Sequence, residues 1–117
     1  MKIVVSGSRN ITDERAVERI LSYYIATKDT VITGGCRGVD LIAEDYARRY
    51  FNHIVTLSAD WYTHGKAAGP IRNREMAQMA DQLIAIWDGK SRGTKNMIGE
   101  AFKCGVETHV HFIEVNT

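Results

Sequence analysis

Three short turns in this sequence pair glycine with arginine: Ser6-Gly7-Ser8-Arg9-Asn10, Gly34-Gly35-Cys36-Arg37-Gly38 and Asp88-Gly89-Lys90-Ser91-Arg92-Gly93-Thr94. Each residue type suits anion binding. Glycine lets backbone N–H groups come close to a ligand, and arginine offers a planar fork matched to phosphate oxygens. Ser6, Ser8, Ser91 and Thr94 add hydroxyl donors. One such turn is equally well a tight strand-to-helix connection with a solvated arginine. Three in one chain are harder to assign to turn-making alone, so the set reads as an anion site.

A fourth segment, SADWYTHGKAAGPIRNREMA (58–77), is too long for a plain connector. Loops beyond about 12 residues in compact domains are usually functional. Trp61 can stack on a base, while Lys66 and Arg72 can meet phosphates. Pro70, near a helix start, would aim Arg72 and Asn73 toward the same ligand edge. The plainer alternative is that Trp61 and Tyr62 cover the edge of the core.

Other constellations carry less. His109 and His111 sit two residues apart on one strand face, which a polar edge strand explains without a metal. Cys36 lies near a helix N-terminus but has no paired histidine in its motif, so it does not read as a nucleophile. Asp40 reads as a loop brace or dipole partner. Neither GxxxxGK[ST] nor GxGxxG occurs, which argues against ordinary NTPase and dehydrogenase sites. No metal site and no cofactor is expected.

These turns need a scaffold, and the sequence supplies one. Five apolar, β-branched runs recur: KIVVS (2–6), TVIT (30–33), HIVTL (53–57), QLIAIW (82–87) and ETHVHFI (107–113). The first four are nearly continuous, as strands buried on both faces require. Between them lie helical patterns. Thr12 is a plausible N-cap for a helix with Val17, Ile20, Leu21 and Tyr24 on one face. Val39, Ile42, Ala43, Tyr46, Ala47 and Tyr50 repeat the spacing, a third helix is expected over 71–80, and a fourth over 94–104 ends at Gly105.

Strand and helix in alternation imply right-handed crossovers and a three-layer α/β domain spanning 1–117. The expected sheet has five strands, mainly parallel, in the order 3-2-1-4-5, with the last strand free to run either way. Ligands of such sheets bind beyond the carboxyl ends of the strands, at the switch point. The glycine-arginine turns follow strands one, two and four.

Composition narrows the class. The chain has 117 residues, 44% apolar and 25% charged, and 15 basic against 14 acidic residues leave a formal charge of +1. No whole-protein field would recruit nucleic acid or an anionic membrane. Cys36 and Cys104 form no disulfide framework, MKIVVSG is broken too soon for a signal peptide, and no apolar run approaches the ~20 residues of a membrane span. A cytoplasmic protein without a membrane partner is expected.

Read together, VVSGSR, TGGCRGVD, ADWYTHGKAAGPIRNREMA, Ala80-Asp81 and WDGKSRGT resemble the SLOG superfamily, in its small YspA-like (YAcAr) branch common in bacteria and their phages. The superfamily is Rossmann-like and includes the Lonely Guy phosphoribohydrolases and the DNA-processing protein DprA. The resemblance implies a nucleotide-type site on the strand-carboxyl edge. Lonely Guy enzymes cleave the N-glycosidic bond of nucleoside monophosphates with an Arg-x-x-x-Met segment and a Gly-Gly-x-Gly-Thr-x-x-Glu loop. Arg72 to Met76 matches the first. In the second, Gly93-Thr94 is kept, but Met97 stands where the glutamate belongs and Glu100 lies one turn further on. Binding machinery is thus better preserved than cleavage machinery.

The expected function is binding, by sensing or sequestration, of a nucleotide or ADP-ribose-derived phosphorylated ligand. Sequestration would suit a phage origin. The expected ligand residues are Gly7, Ser8, Arg9, Gly34, Gly35, Arg37, Gly38, Trp61, Lys66, Arg72, Asn73, Asp88, Ser91, Arg92, Gly93 and Thr94. The alternative is an N-glycoside hydrolase acting on nucleoside monophosphates, with Glu100 or Asp88 as the catalytic carboxylate. A single-stranded nucleic-acid module, by analogy with DprA, is disfavoured by the near-neutral charge. An apolar stripe of Met76, Met79 and Ala80 further suggests a homodimer or a higher even-numbered oligomer.

Overall fold

The structure, a computed structural model, describes residues 1–115. Its sheet has the order β3-β2-β1-β4-β5, formed by β1 (Lys2–Gly7), β2 (Thr30–Thr33), β3 (His53–Thr56), β4 (Gln82–Trp87) and β5 (Glu107–Phe112). Every pairing is parallel, including Gln82 with Glu107 through Trp87 with Phe112. The freedom allowed to the last strand is therefore resolved. Helix α5 (Arg92–Lys103) carries the chain back along the sheet, so β5 starts at the same edge as β4.

Alternation along the central strands divides the apolar side chains between two cores. Ile3, Val5, Ile84 and Ile86 meet α1 (Glu14–Tyr24) and α2 (Val39–Arg49) through Val17, Leu21, Val39, Ala43 and Ala47. Val4, Ile32, Leu83 and Ala85 meet α4 (Ala68–Met79) and α5 through Met76, Ala77, Met97 and Ala101. Each fully buried Val, Leu or Ile contributes about 1.5–3 kcal/mol. Met76 is buried in this second core, and Met79 and Ala80, partly buried, pack against it.

The helix ends depart from the sequence reading for identifiable reasons. Asp13, not Thr12, caps α1, its carboxylate accepting from Ala16 N at 3.1 Å. The segment expected as a long loop is largely helical: α3 (Trp61–His64), a 3-10 turn (Gly65–Ala67), then α4, which starts at Ala68 rather than 71. Asp60 caps α3 by accepting from Thr63 N at 3.1 Å. Pro70 falls in the first turn of α4, where its missing N–H costs nothing. Helix α5 ends in the expected way: Gly105 takes φ 69° and Val106 N donates to Ala101 O at 2.9 Å. Among the described residues, no helix is long and apolar enough to cross a membrane.

Candidate functional site

The chain leaves β1 toward one side of the sheet and β4 toward the other, and the gap between them opens at the strand-carboxyl edge. Ser8 closes its floor. Its N–H donates to Ile86 O at 3.1 Å, and its hydroxyl accepts from Asp88 N at 3.0 Å. At 1% exposure Ser8 is buried as a clamp between two turns and does not line the cleft. The turn after β2 packs directly on the turn after β1. Gly38 has φ 80°, and a Cβ there would fall 2.6 Å from Ser8 O and 2.7 Å from Arg9 O, so only glycine fits.

Over this floor lies a cleft of about 460 Å³, a size that suits a small organic ligand. Arg9, Lys66, Arg72 and Arg92 reach it from the turn after β1, the 3-10 turn, α4 and the start of α5. Trp61, Pro70 and Met76 give it an apolar wall, and Ser6, Gly7, Cys36, Asp40, Asn73, Ser91, Gly93, Thr94 and Asn96 complete the lining. Trp61 is half-exposed, lying close to Gly69, while Tyr62 is fully exposed; neither seals the core. Among the described residues Arg9, Lys66 and Arg92 form no ion pair. The N-terminus of α5 adds positive potential at the same place. Its cap is Ser91, whose hydroxyl accepts from Thr94 N.

Arg72 and Asn73 build the wall as well as face the cleft. Arg72 donates from Nε to Asn73 Oδ1 at 3.0 Å, and from Nη1 to Gly34 O at 3.0 Å and Leu57 O at 3.2 Å. Asn73 donates to Gly93 O at 3.3 Å and to Asn96 Oδ1 at 2.9 Å. The pair ties α4 to the ends of β2 and β3 and to the start of α5. Gly34 is glycine because a Cβ there would collide with the Arg72 guanidinium.

The carboxylates sort into different places. Asp40 lines the cleft, and its Oδ2 accepts from Gly34 N at 3.1 Å and Cys36 N at 3.2 Å. Burial pushes its pKa up to about 6, against the pull of those N–H groups and the Arg72 charge. Asp88 accepts from Lys90 N and Ser91 N, both at 2.8 Å, and these bonds hold its pKa below the ordinary value. Asp88 lies outside this cleft, in a neighbouring one that it shares with Arg37. Glu100 is also outside. It is buried against Arg74 Nε at 3.2 Å and Lys103 Nζ at 3.4 Å, and the Arg74 bond holds its pKa down. Its three-residue offset from Met97 moves it about 4.5 Å down the helix axis.

Of the residues expected at the site, the cleft thus gathers Gly7, Arg9, Trp61, Lys66, Arg72, Asn73, Ser91, Arg92, Gly93 and Thr94. Gly34, Gly35 and Gly38 shape the turn behind it, with φ 71° at Gly35. Asn96 was not anticipated; its one sequence signal is its place one helical turn after Arg92. His111 shares a 2.6 Å hydrogen bond with the Tyr24 hydroxyl, and no metal-holding cluster occurs among the described residues.

Two comparisons show what the chain is similar to. A family model described as "YspA, cpYpsA-related SLOG family" matches residues 1–64. The "Gene 61 protein" of Mycobacterium phage D29 is 36% identical over 114 residues, covering 90% of this chain and 91% of the phage protein.

Proposed function

We propose a function from the premise that the chain belongs to the YspA, cpYpsA-related SLOG family: it binds a phosphorylated, nucleotide-type ligand in the cleft between β1 and β4. Family membership itself suggests either nucleotide-related ligand binding or a glycosidase-like role. The observation that carries binding is the convergence of Arg9, Lys66 and Arg92, none of them ion-paired among the described residues, on one cleft beside the start of α5. Unpaired cations around a concavity repel one another, and a phosphate relieves that repulsion. Trp61, half-exposed on the same wall, is placed to stack on a base.

Binding without turnover is favoured over hydrolysis by where the carboxylates lie. Acid-base help to glycosidic cleavage needs a carboxyl group within hydrogen-bond reach of the sugar. Glu100 is committed to Arg74 and Lys103 outside the cleft, and Asp88 is committed to two backbone N–H groups. Asp40 does line the cleft, but one of its oxygens is held by the turn after β2. A binder of this kind senses or sequesters its ligand, an ADP-ribose derivative being one candidate; the phage relative suits sequestration.

Calorimetric titration with nucleoside monophosphates and the matching nucleosides tests the reading. The phosphorylated members are expected to bind and the nucleosides to bind at least tenfold more weakly. Equal affinity for both, or no binding of any phosphorylated member, would overturn it.

A further inference from the structure

A carboxylate is the wrong group for a cleft that takes an anion, yet Asp40 lines this one. Arg9, Lys66, Arg72 and Arg92 reach the same space, and each would hold a phosphate more tightly without a negative charge nearby. The side chain is also 4% exposed, and burying a carboxylate is costly unless its oxygens are hydrogen-bonded.

The two oxygens of Asp40 are unequally used. Oδ2 accepts from Gly34 N at 3.1 Å and from Cys36 N at 3.2 Å, which braces the turn after β2. Oδ1 accepts no hydrogen bond among the described residues; the Gly7 N–H is near enough to favour the charged form but lies outside hydrogen-bond geometry. Nor is Oδ1 sealed inside the protein, since the enclosed side-chain atom without a partner among the described residues is Asn52 Oδ1. It is therefore open to the cleft that Asp40 lines.

The neighbouring guanidinium is half-used in the same way. Arg72 donates from Nε and Nη1 to Asn73 Oδ1, Gly34 O and Leu57 O, whereas its Nη2 has no acceptor among the described residues. Arg72 and Asp40 both crowd Gly34, where a Cβ would fall 2.4 Å from Arg72 Nη1 and 3.2 Å from Asp40 Oδ2, yet they form no ion pair. A spare acceptor and a spare donor thus stand side by side. A hydroxyl, which donates and accepts, suits both. It also suits Asp40 with or without a proton, which matters because burial lifts that pKa to about 6. An N–H of a base would pair with the charged form alone.

We infer that Asp40 sets the specificity of the cleft: its Oδ1 accepts from a sugar hydroxyl of the ligand, and Arg72 Nη2 donates to the same sugar. The inference rests on the nucleotide reading of the cleft and narrows it to ligands with an intact ribose. A deoxygenated sugar would leave Oδ1 unpaired in a cleft already holding an anion.

AMP and dideoxy-AMP, which lacks both ribose hydroxyls, share base, phosphate and charge. Isothermal titration near neutral pH should show the wild-type chain binding AMP roughly tenfold or more tightly, the loss expected when a buried charged acceptor is left unpaired. Asp40→Asn keeps an oxygen for the Gly34 and Cys36 N–H groups and turns an N–H donor toward the cleft, so the preference should fall to roughly threefold or less. A role confined to bracing the turn would weaken both nucleotides alike and keep the wild-type ratio, and that result would overturn the inference. Equal affinities in the wild type would also overturn it, whether or not the variant folds, and leave the nucleotide reading standing. If neither nucleotide binds, the reading of the cleft falls, and this inference with it.

Discussion

Arg72 donates to the carbonyl of Gly34 at 3.0 Å, and a Cβ at position 34 would collide with its guanidinium as placed. The arginine that most resembles a phosphate ligand in the sequence is therefore also a brace joining α4 to β2 and, through Leu57, to the end of β3. Arg72→Ala should lower unfolding free energy by about 1.5–3 kcal/mol, because charge-assisted bonds are lost and two carbonyls are left unpaired. Urea unfolding would read this directly. A variant as stable as the wild type would show that the brace carries no load.

Arg92 makes no ion pair among the described residues, so its loss should register in ligand affinity rather than in folding. Arg92→Ala is expected to weaken nucleotide binding roughly ten- to hundredfold, from the ~1.5–3 kcal/mol of a charge-assisted contact. Lys66→Ala should cost less, since an exposed ammonium acts as a screened point charge. Titration of both variants with the same nucleotide would give the order, and the reverse order would count against the geometry.

Two acids should give the stability profile opposite slopes. Burial raises Asp40 to about 6, so the folded chain holds a proton there that the unfolded chain has released. The stability this contributes is full below pH 3.8 and is lost as pH rises through about 6. Relative to Asp40→Asn, the wild type should lose on the order of 2–3 kcal/mol across that window. Glu100 behaves in reverse. Its pKa is held below 4.5, chiefly by Arg74, so its contribution is present above 4.5 and fades as pH falls below it. Denaturant melts of wild type, Asp40→Asn and Glu100→Gln from pH 3 to 7 would separate the slopes; parallel profiles for the two variants would refute the assignment.

Cys36 lines the cleft between β1 and β4, whereas Cys104 is exposed at the end of α5. In a Cys104→Ser background, saturating nucleotide should slow thiol labelling of Cys36 severalfold. Labelling at an unchanged rate, with binding confirmed separately, would mean that the ligand sits elsewhere.

The sheet order was legible because its signals are long and redundant. Near-continuous runs such as QLIAIW admit only buried strands, and the glycine-arginine turns mark which ends carry the site. The first part of the 58–77 segment reads as a loop because its helix starts are weakly signalled: Asp60 caps α3, but α4 begins with no side-chain cap. Asp60 and Pro70 act at helix starts, while Trp61 and Tyr62 read as loop aromatics. The double duty of Arg72 was equally invisible, since its carbonyl partners, on Gly34 and Leu57, carry no side-chain signature. Glu100 reads as available one turn beyond Met97, but Arg74, on another helix, and Lys103, one turn further along α5, both occupy it.

The hydroxyl of Ser8 meets the N–H of Asp88 across eighty positions of chain. The β1–β4 pairings beside it close loops of the same length, and closing them gains nothing until both halves of the sheet are docked. The ligand cleft should accordingly be among the last features to form during folding. A fragment ending at residue 64 would contain Arg9, Asp40 and Trp61 but no cleft. Ligand added to a refolding chain should leave the early phases untouched and act only after the slowest one, which stopped-flow fluorescence from Trp61 and Trp87 would resolve.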